Sequence, residues 1–274
     1  MGSSVPAEAR SDRAVTSVLG LLGARNLSDV VLPGAAYVPT NVAVGAALLA
    51  VARGGGASWD DLGLARSHLR PGMRLGSAAG AGAVTALLVA AAVPRARRVF
   101  DDQRVPLDAS GPQRLYQTTI RIPVGTVAFE ELAFRGVLLD ILRQRLRPSL
   151  AVALDSALFG LWHIVPTLAT ARANRIVGLG RLGLVGGSVL ATTAGGVVLC
   201  ALRIRTGHVL APALLHLGVN DAAYVLALRA RGGRSRLCPP ASPPFGLSRT
   251  APVVPITQAT EDPHRRRNPR RTFE

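Results

Sequence analysis

Three short runs of this sequence place proton-moving side chains in stretches otherwise nearly free of charge. The first reads Phe129-Glu130-Glu131-Leu132-Ala133-Phe134-Arg135-Gly136. Glu131 and Arg135 stand four residues apart, the spacing that pairs side chains along one helix face. Glu130 then projects about 100° away, toward a neighbouring helix. A carboxylate held in this way can act as a general base, its strength set by burial and by the nearby guanidinium. The second run, Phe159-Gly160-Leu161-Trp162-His163, ends just before Pro166. The third, His216-Leu217-Gly218-Val219-Asn220-Asp221, sets His216 and Asn220 one turn apart, so both present to the same partner. Each run alone has a plain structural use: a Glu–Arg pair near a helix end, a satisfied histidine, an interfacial Trp162, hydrogen bonds between helices. Together they supply two carboxylates, two imidazoles and an amide, the inventory for activating water. A glutamate and a histidine can polarise the water, and a histidine with an asparagine can stabilise the oxyanion of a tetrahedral intermediate. Glu130, His163 and His216 could instead hold a divalent metal such as zinc, with one position left open. No His-Glu-x-x-His occurs, which excludes a zincin arrangement.

The elements that must carry these residues are apolar. Of the 274 residues 49% are hydrophobic, only 4% aromatic and 18% charged, and the mean hydropathy is +0.30. Against that background stands a net charge of +16, and all 32 basic residues are Arg. This balance excludes an acidic solvated protein, a disulfide-built secreted module and a wholly disordered chain. Two classes remain, an Arg-rich nucleic-acid binder and a multi-pass membrane protein. The arrangement of the arginines decides between them. They punctuate apolar blocks at 37–52, 75–93, 123–142, 149–166, 182–202 and 208–228, and Arg135 alone lies inside one. Each block approaches the roughly 20 residues that cross a bilayer as a helix. Ala and Gly dominate them, as suits helices packed closely in lipid, and no polar face marks them as soluble helices. The expectation is an all-α, multi-pass transmembrane bundle of about six spans with a disordered basic C-terminal tail.

Four regions follow: an N-terminal cytoplasmic or interfacial segment (1–34), two membrane helices with their loops (35–116), a catalytic membrane core (117–228) and an Arg/Pro-rich disordered tail (229–274). The mildly apolar stretch 14–24 has no convincing cleavage site and reads as an amphipathic helix on the membrane surface. The run Ser58-Trp59-Asp60-Asp61 reads as a capped interfacial turn. With six spans, 22 arginines fall on one side and 9 on the other, which places both termini in the cytoplasm of a cell-membrane protein. Cys200 and Cys238 do not make a disulfide framework. Asp140, Asp155 and Asp221 lie in or near the blocks and could support the site.

Glu-Glu-x-x-x-Arg, Phe-x-x-x-His and His-x-x-x-Asn, in that order on successive membrane helices, resemble the CPBP family. Its members include CAAX prenyl proteases of the Rce1 type and bacterial Abi and bacteriocin-processing relatives. The resemblance covers roughly residues 117–228 and all three motifs are complete. It implies an intramembrane endopeptidase that cuts a membrane-tethered peptide or protein near the membrane–cytoplasm boundary. By motif position Glu130 would activate water with His163 as its partner. Arg135 would orient the glutamates, Glu131 would support the site, and His216 and Asn220 would bind the oxyanion or hold the site together. Family members have been described both as metalloproteases and as glutamate-type proteases. Arg, Ala and Gly usage without Lys fits a GC-rich bacterial genome, where a prenylated substrate is not expected. Peptide maturation, bacteriocin immunity or turnover of small membrane proteins are the expected contexts.

Three competitors make different demands. A non-catalytic scaffold or immunity protein would use the same polar residues only to lock helices together. A transporter would show a second copy of the motifs in a matching position, and there is none. A nucleic-acid binder would carry a recognition helix with base-reading side chains, whereas these arginines flank apolar blocks. No nucleic-acid partner is expected.

Overall fold

The computed structural model describes residues 7–95, 99–106 and 109–237. It is helical, with no strand among the described residues. Helix α1 is Ala7–Val31 and α2 is Tyr37–Gly54, entered through the tight turn Gly34–Ala36. Helix α3 is Leu69–Ala92. Helix α4 runs without interruption over 111–143. Then come α5 (Pro148–Trp162), α6 (Ile164–Ala173), α7 (Gly178–Thr206) and α8 (Leu210–Leu237).

Local sequence sets the ends. Ser110 and Gln113 form a reciprocal capping box at the start of α4, with the Ser110 N–H donating to Gln113 Oε1 at 2.8 Å. Pro148 opens α5, where a missing N–H is harmless. Gly207, at φ 73°, closes α7 in the left-handed conformation that glycine adopts without strain.

Among the described residues, five helical stretches are long and apolar enough to cross a membrane: Gly34–Gly54, Arg66–Ala92, Pro148–Ala173, Gly178–Thr206 and Leu210–Gly232. The remaining apolar block lies within α4. That helix is equally long, but Glu130, Glu131, Arg135 and Asp140 interrupt its apolar run. Much of the apolar surface faces outward, with Leu179, Leu182, Leu190 and Val89 all exposed. Lipid, not water, suits such a surface. The interior holds Phe129, Phe134, Val137 and Leu138 of α4, packed on Leu48 of α2, Phe159 and Trp162 of α5, and Leu199 of α7.

The two ends of the bundle are tied differently. At one, Asn174 donates to Asp102 Oδ1 at 3.1 Å, and the Arg231 guanidinium binds the Gln103 carbonyl at 3.0 Å and the carbonyl of Val105. Burial pushes the Asp102 carboxyl up, but Arg104 and Asn174 outweigh it and hold it below the usual carboxylate range. At the other end Ser58 and Asp61 cap each other, Arg203 donates to the Asp61 carbonyl at 2.8 Å, and the Val209 N–H reaches the Gly63 carbonyl at 2.9 Å. The Ser58 hydroxyl holds the Asp61 carboxyl below its ordinary value. Trp59 is exposed, with the Arg53 guanidinium 4.8 Å from its ring.

Three expectations need correction. The N-terminal helix does not lie on a surface. It packs antiparallel to α2, with Val18 and Leu22 buried and Asp12 paired to Arg145 at the Asp61 end. Its polar residues find partners inside: Arg25 donates to Asn41 Oδ1, and Asn26 donates to the Trp162 carbonyl at 2.9 Å. Weak apolarity is therefore enough to seat it upright, so the described chain starts at the Asp61 end and finishes at the Asp102 end, and the expectation that six spans leave both termini on the cytoplasmic side does not hold for α1 and α8. The last helix also overruns the boundary expected at Arg229 and continues to Leu237. Arg is a good helix former, and no proline intervenes between Pro212 and Pro239. The rest of the expected tail, 238–274, lies outside the described residues.

Helices α3 and α8 share the most extensive contact in the bundle, and glycine makes it. Gly72, Gly76 and Gly80 are buried along one face of α3. A Cβ on Gly76 would lie 2.8 Å from the Ala211 Cα and carbonyl oxygen, and one on Gly80 2.8 Å from the Leu214 carbonyl oxygen. Gly76→Val must push α8 away. It is expected to lower stability by about 1–3 kcal/mol, read as the thermal midpoint in detergent. Gly82→Ala, whose Cβ would meet nothing within 4 Å, is the control that keeps the wild-type midpoint.

Candidate active site

The site is built on α4, whose turns are unusual. Gln117–Ala128 and Leu132–Leu138 are π-helical, flanking the ordinary turn Phe129–Glu131. Pro123 lies inside the first of these stretches and cannot donate a backbone hydrogen bond. Wide turns of this kind are rare and concentrate at functional sites. They carry Glu130, Glu131 and Arg135 into the interior, where the three are 5%, 1% and 0% exposed.

Glu131 and Arg135 pair along α4, Oε1 to Nη1 at 3.5 Å. The same Glu131 oxygen accepts from His216 Nδ1 of α8 at 2.8 Å. Glu130 projects away from that pair. Its Oε1 accepts from Trp162 Nε1 of α5 at 3.0 Å, and its Oε2 faces His216 Nε2 at 3.9 Å. That distance is too long for a direct hydrogen bond. The His216 ring is thus bracketed by two carboxylates, one bonded and one held apart. Arg135 is held by its ion pairs and by ring faces: its guanidinium stands 4.0 Å from the Phe159 centroid, and Nε is 3.8 Å from Asp155 Oδ2.

Buried polar atoms lacking a hydrogen bond gather here. They include Glu130 Oε2, Glu131 Oε2, Asp155 Oδ1 and the guanidinium nitrogens of Arg135. Folded proteins pair nearly all such atoms, and clustered exceptions point to chemistry instead of stability.

The other expected residues lie nearby with looser ties. His163 caps the junction between α5 and α6. Its Nδ1 lies 2.7 Å from the Phe159 carbonyl, which fixes Nδ1–H as the donor and leaves Nε2 as the free nitrogen. Its ring packs edge-on against Phe159 at 4.7 Å, and Phe159 in turn meets His216 at 6.0 Å. Asn220, half-buried, lies one turn beyond His216 on α8, and its side chain makes no hydrogen bond among the described residues. Of the three supporting aspartates, Asp155 joins the site. Asp140 bonds Gln144 instead, and Asp221 has no partner for its buried Oδ1.

The residues read as a zinc set do not fit one. Among the described residues no three His, Cys, Asp or Glu side chains gather closely enough to hold a metal ion.

Two participants escaped the motifs. Trp162, read as an interfacial anchor, is buried and is the hydrogen-bond donor to Glu130. Cys200 of α7 donates to Asp155 Oδ2 at 3.1 Å. The tryptophan is adjacent to His163 in the sequence, a signal that could have found it. Nothing near Cys200 marks it.

A cavity of about 730 Å³ lies toward the Asp102 end of the bundle, lined by Tyr116, Gln117, Arg121, Ile122 and Tyr224 among others. Ile122 and Tyr224 stand two turns from Glu130 and His216 on their helices, so the cavity lies over the site along α4 and α8.

No curated protein and no solved structure matches the chain. Residues 112–221 match one family model, described as type II CAAX prenyl endopeptidase Rce1-like. The matched stretch opens on the first turn of α4 and closes at Asp221, so it holds all three motifs and the side chains they bring together. This is a membrane protein by its apolar helices, and its segment 112–221 is Rce1-like, the signature of a peptidase family.

Proposed function

We propose that the protein is an intramembrane endopeptidase that hydrolyses a peptide bond of a membrane-tethered peptide or protein. The observation that carries this reading is the pairing of Glu130 Oε2, buried and without a hydrogen bond, with His216 Nε2 at 3.9 Å. A water admitted to that gap would reach both groups. Glu130 takes its proton while the water oxygen attacks the scissile carbonyl carbon. The tetrahedral oxyanion is received by donors on α8, His216 and the unengaged amide of Asn220. Collapse breaks the C–N bond, and the proton on Glu130 passes to the departing amine. His163, whose Nε2 is free, is Glu130's partner in handling these protons. Trp162 and the Glu131–Arg135 pair hold the two reacting groups in place. Glu130, His163 and His216 do not converge as zinc ligands, and no step here runs through a metal.

The substrate reaches the site through the cavity beneath the Asp102 end. We assign that end to the cytoplasm, because α8 finishes there with Arg229, Arg231, Arg234 and Arg236 in its sequence and Arg is enriched on cytoplasmic sides. A fluorogenic peptide on a lipid anchor, presented to the purified protein in lipid vesicles with and without chelator, tests the reading. Cleavage that survives chelation is expected. Activity lost on chelation and restored by zinc would replace the metal-free mechanism. No cleavage of any anchored peptide would favour the scaffold.

A further inference from the structure

Behind the reacting groups lies a layer the mechanism has not used. Asp155 and Phe159 are one turn apart on α5, and together they contain Arg135: the carboxylate stands 3.8 Å from Nε, and the guanidinium carbon lies 4.0 Å from the ring centroid. Asp155 is fully buried, as is Cys200. The Cys200 thiol donates to Asp155 Oδ2 at 3.1 Å, the same oxygen that faces Arg135. Ser156 Oγ lies 3.9 Å from the same sulfur. Gly196, one turn before Cys200, lets α7 come close enough for this. A Cβ there would stand 3.0 Å from Ser156 and 3.2 Å from Arg135 Nη2.

Arg135 has two carboxylate partners at different nitrogens, Glu131 at Nη1 and Asp155 at Nε. If one is removed, the guanidinium is free to collapse onto the other. The Arg135 and His216 contacts both fall on Glu131 Oε1, at 3.5 and 2.8 Å, so where the guanidinium sits fixes how that oxygen meets the His216 ring. Resting on the peptidase reading above, we propose that Asp155 is a positioning residue, fixed by the Cys200 thiol. Through Arg135 and Glu131 it sets where the His216 ring faces Glu130. A line of contacts then runs from α7 through α5 and α4 to α8, ending on the reacting pair.

The test uses the full chain in lipid vesicles with the anchored peptide, comparing wild type, Glu130→Gln, Asp155→Asn, Cys200→Val and Cys200→Ser. Misplacement of a reacting group by about 1 Å can reduce rate a hundredfold. Asp155→Asn is therefore expected to lower kcat by about tenfold to a hundredfold with KM within about twofold. Cys200→Val, which removes the donor at similar volume, is expected to lower kcat in the same way. Cys200→Ser, which keeps a donor, is expected to recover most of that loss. Should Asp155→Asn fail to accumulate, the valine–serine comparison decides alone. Equal activity in the valine and serine variants, or a loss carried in KM, would overturn the proposal while leaving the peptidase reading intact. That reading fails separately, if wild type does not cleave or Glu130→Gln cleaves as well as wild type.

Discussion

Glu130→Gln is expected to yield a protein that accumulates, folds and cleaves nothing at a practical rate. The amide matches the carboxylate in shape and can still accept the Trp162 N–H through its oxygen. What disappears is the lone pair that takes the proton from water. General-base catalysis is worth about 10² to 10⁴ in rate, so kcat is expected to fall by about 10³. Stability should hold, because among the described residues Trp162 alone donates a hydrogen bond to this side chain. Removing a buried carboxylate that lacks full pairing removes a desolvation penalty along with the charge. Single-turnover cleavage of the anchored peptide, measured beside the thermal midpoint, separates the two effects. A glutamine variant within tenfold of wild type would remove Glu130 from the role of base.

Arg135→Met is the opposite case, a change expected to damage the fold and the chemistry together. It keeps much of the length and the apolar stem, but it strips the guanidinium paired with Glu131 and Asp155 in a fully buried position. Breaking a buried ion pair from one side costs about 3–5 kcal/mol, because the remaining charge is left bare. For a chain of this size that corresponds to a thermal midpoint lower by about 10 °C. Activity should vanish as well, since Glu131 no longer has the partner that aims it at His216. Arg135→Lys is not expected to rescue either property, because an ammonium cannot address two carboxylates and stack on Phe159 at once. The informative comparison is the triple replacement Glu131→Gln, Arg135→Met, Asp155→Asn. Without stranded charge it should regain most of the lost stability and remain inactive. A triple variant no more stable than Arg135→Met alone would show that the arginine acts through packing and not through charge.

The sequence reveals this architecture unevenly, and the reasons are physical. Helices α2, α3, α5, α7 and α8 are legible because lipid-facing surface demands long apolar runs, and such runs are visible residue by residue. Helix α4 fails that test through its own charges, yet those charges identify it, since buried ionisable groups are tolerated only where they do something. The Glu131–Arg135 pairing and the separate direction of Glu130 follow from helical spacing alone, and the structure has both. Helix α1 is misread because its hydropathy is weak, and what seats it is a set of specific bonds from Arg25 and Asn26 to groups far away in the chain. Cys200 is illegible for the same reason: its meaning comes entirely from Asp155, a residue on another helix.

The glycine seam of α3 has a consequence for what counts as the working unit. No residue of α3 belongs to the proposed chemistry, and the family match begins only at residue 112. Yet the flat strip of Gly72, Gly76 and Gly80 is the bed on which α8 lies, and α8 carries His216. The segment recognisable by descent is thus smaller than the machine. A transplanted 112–221 fragment would bring every reacting side chain and leave behind the surface that holds one of them in register.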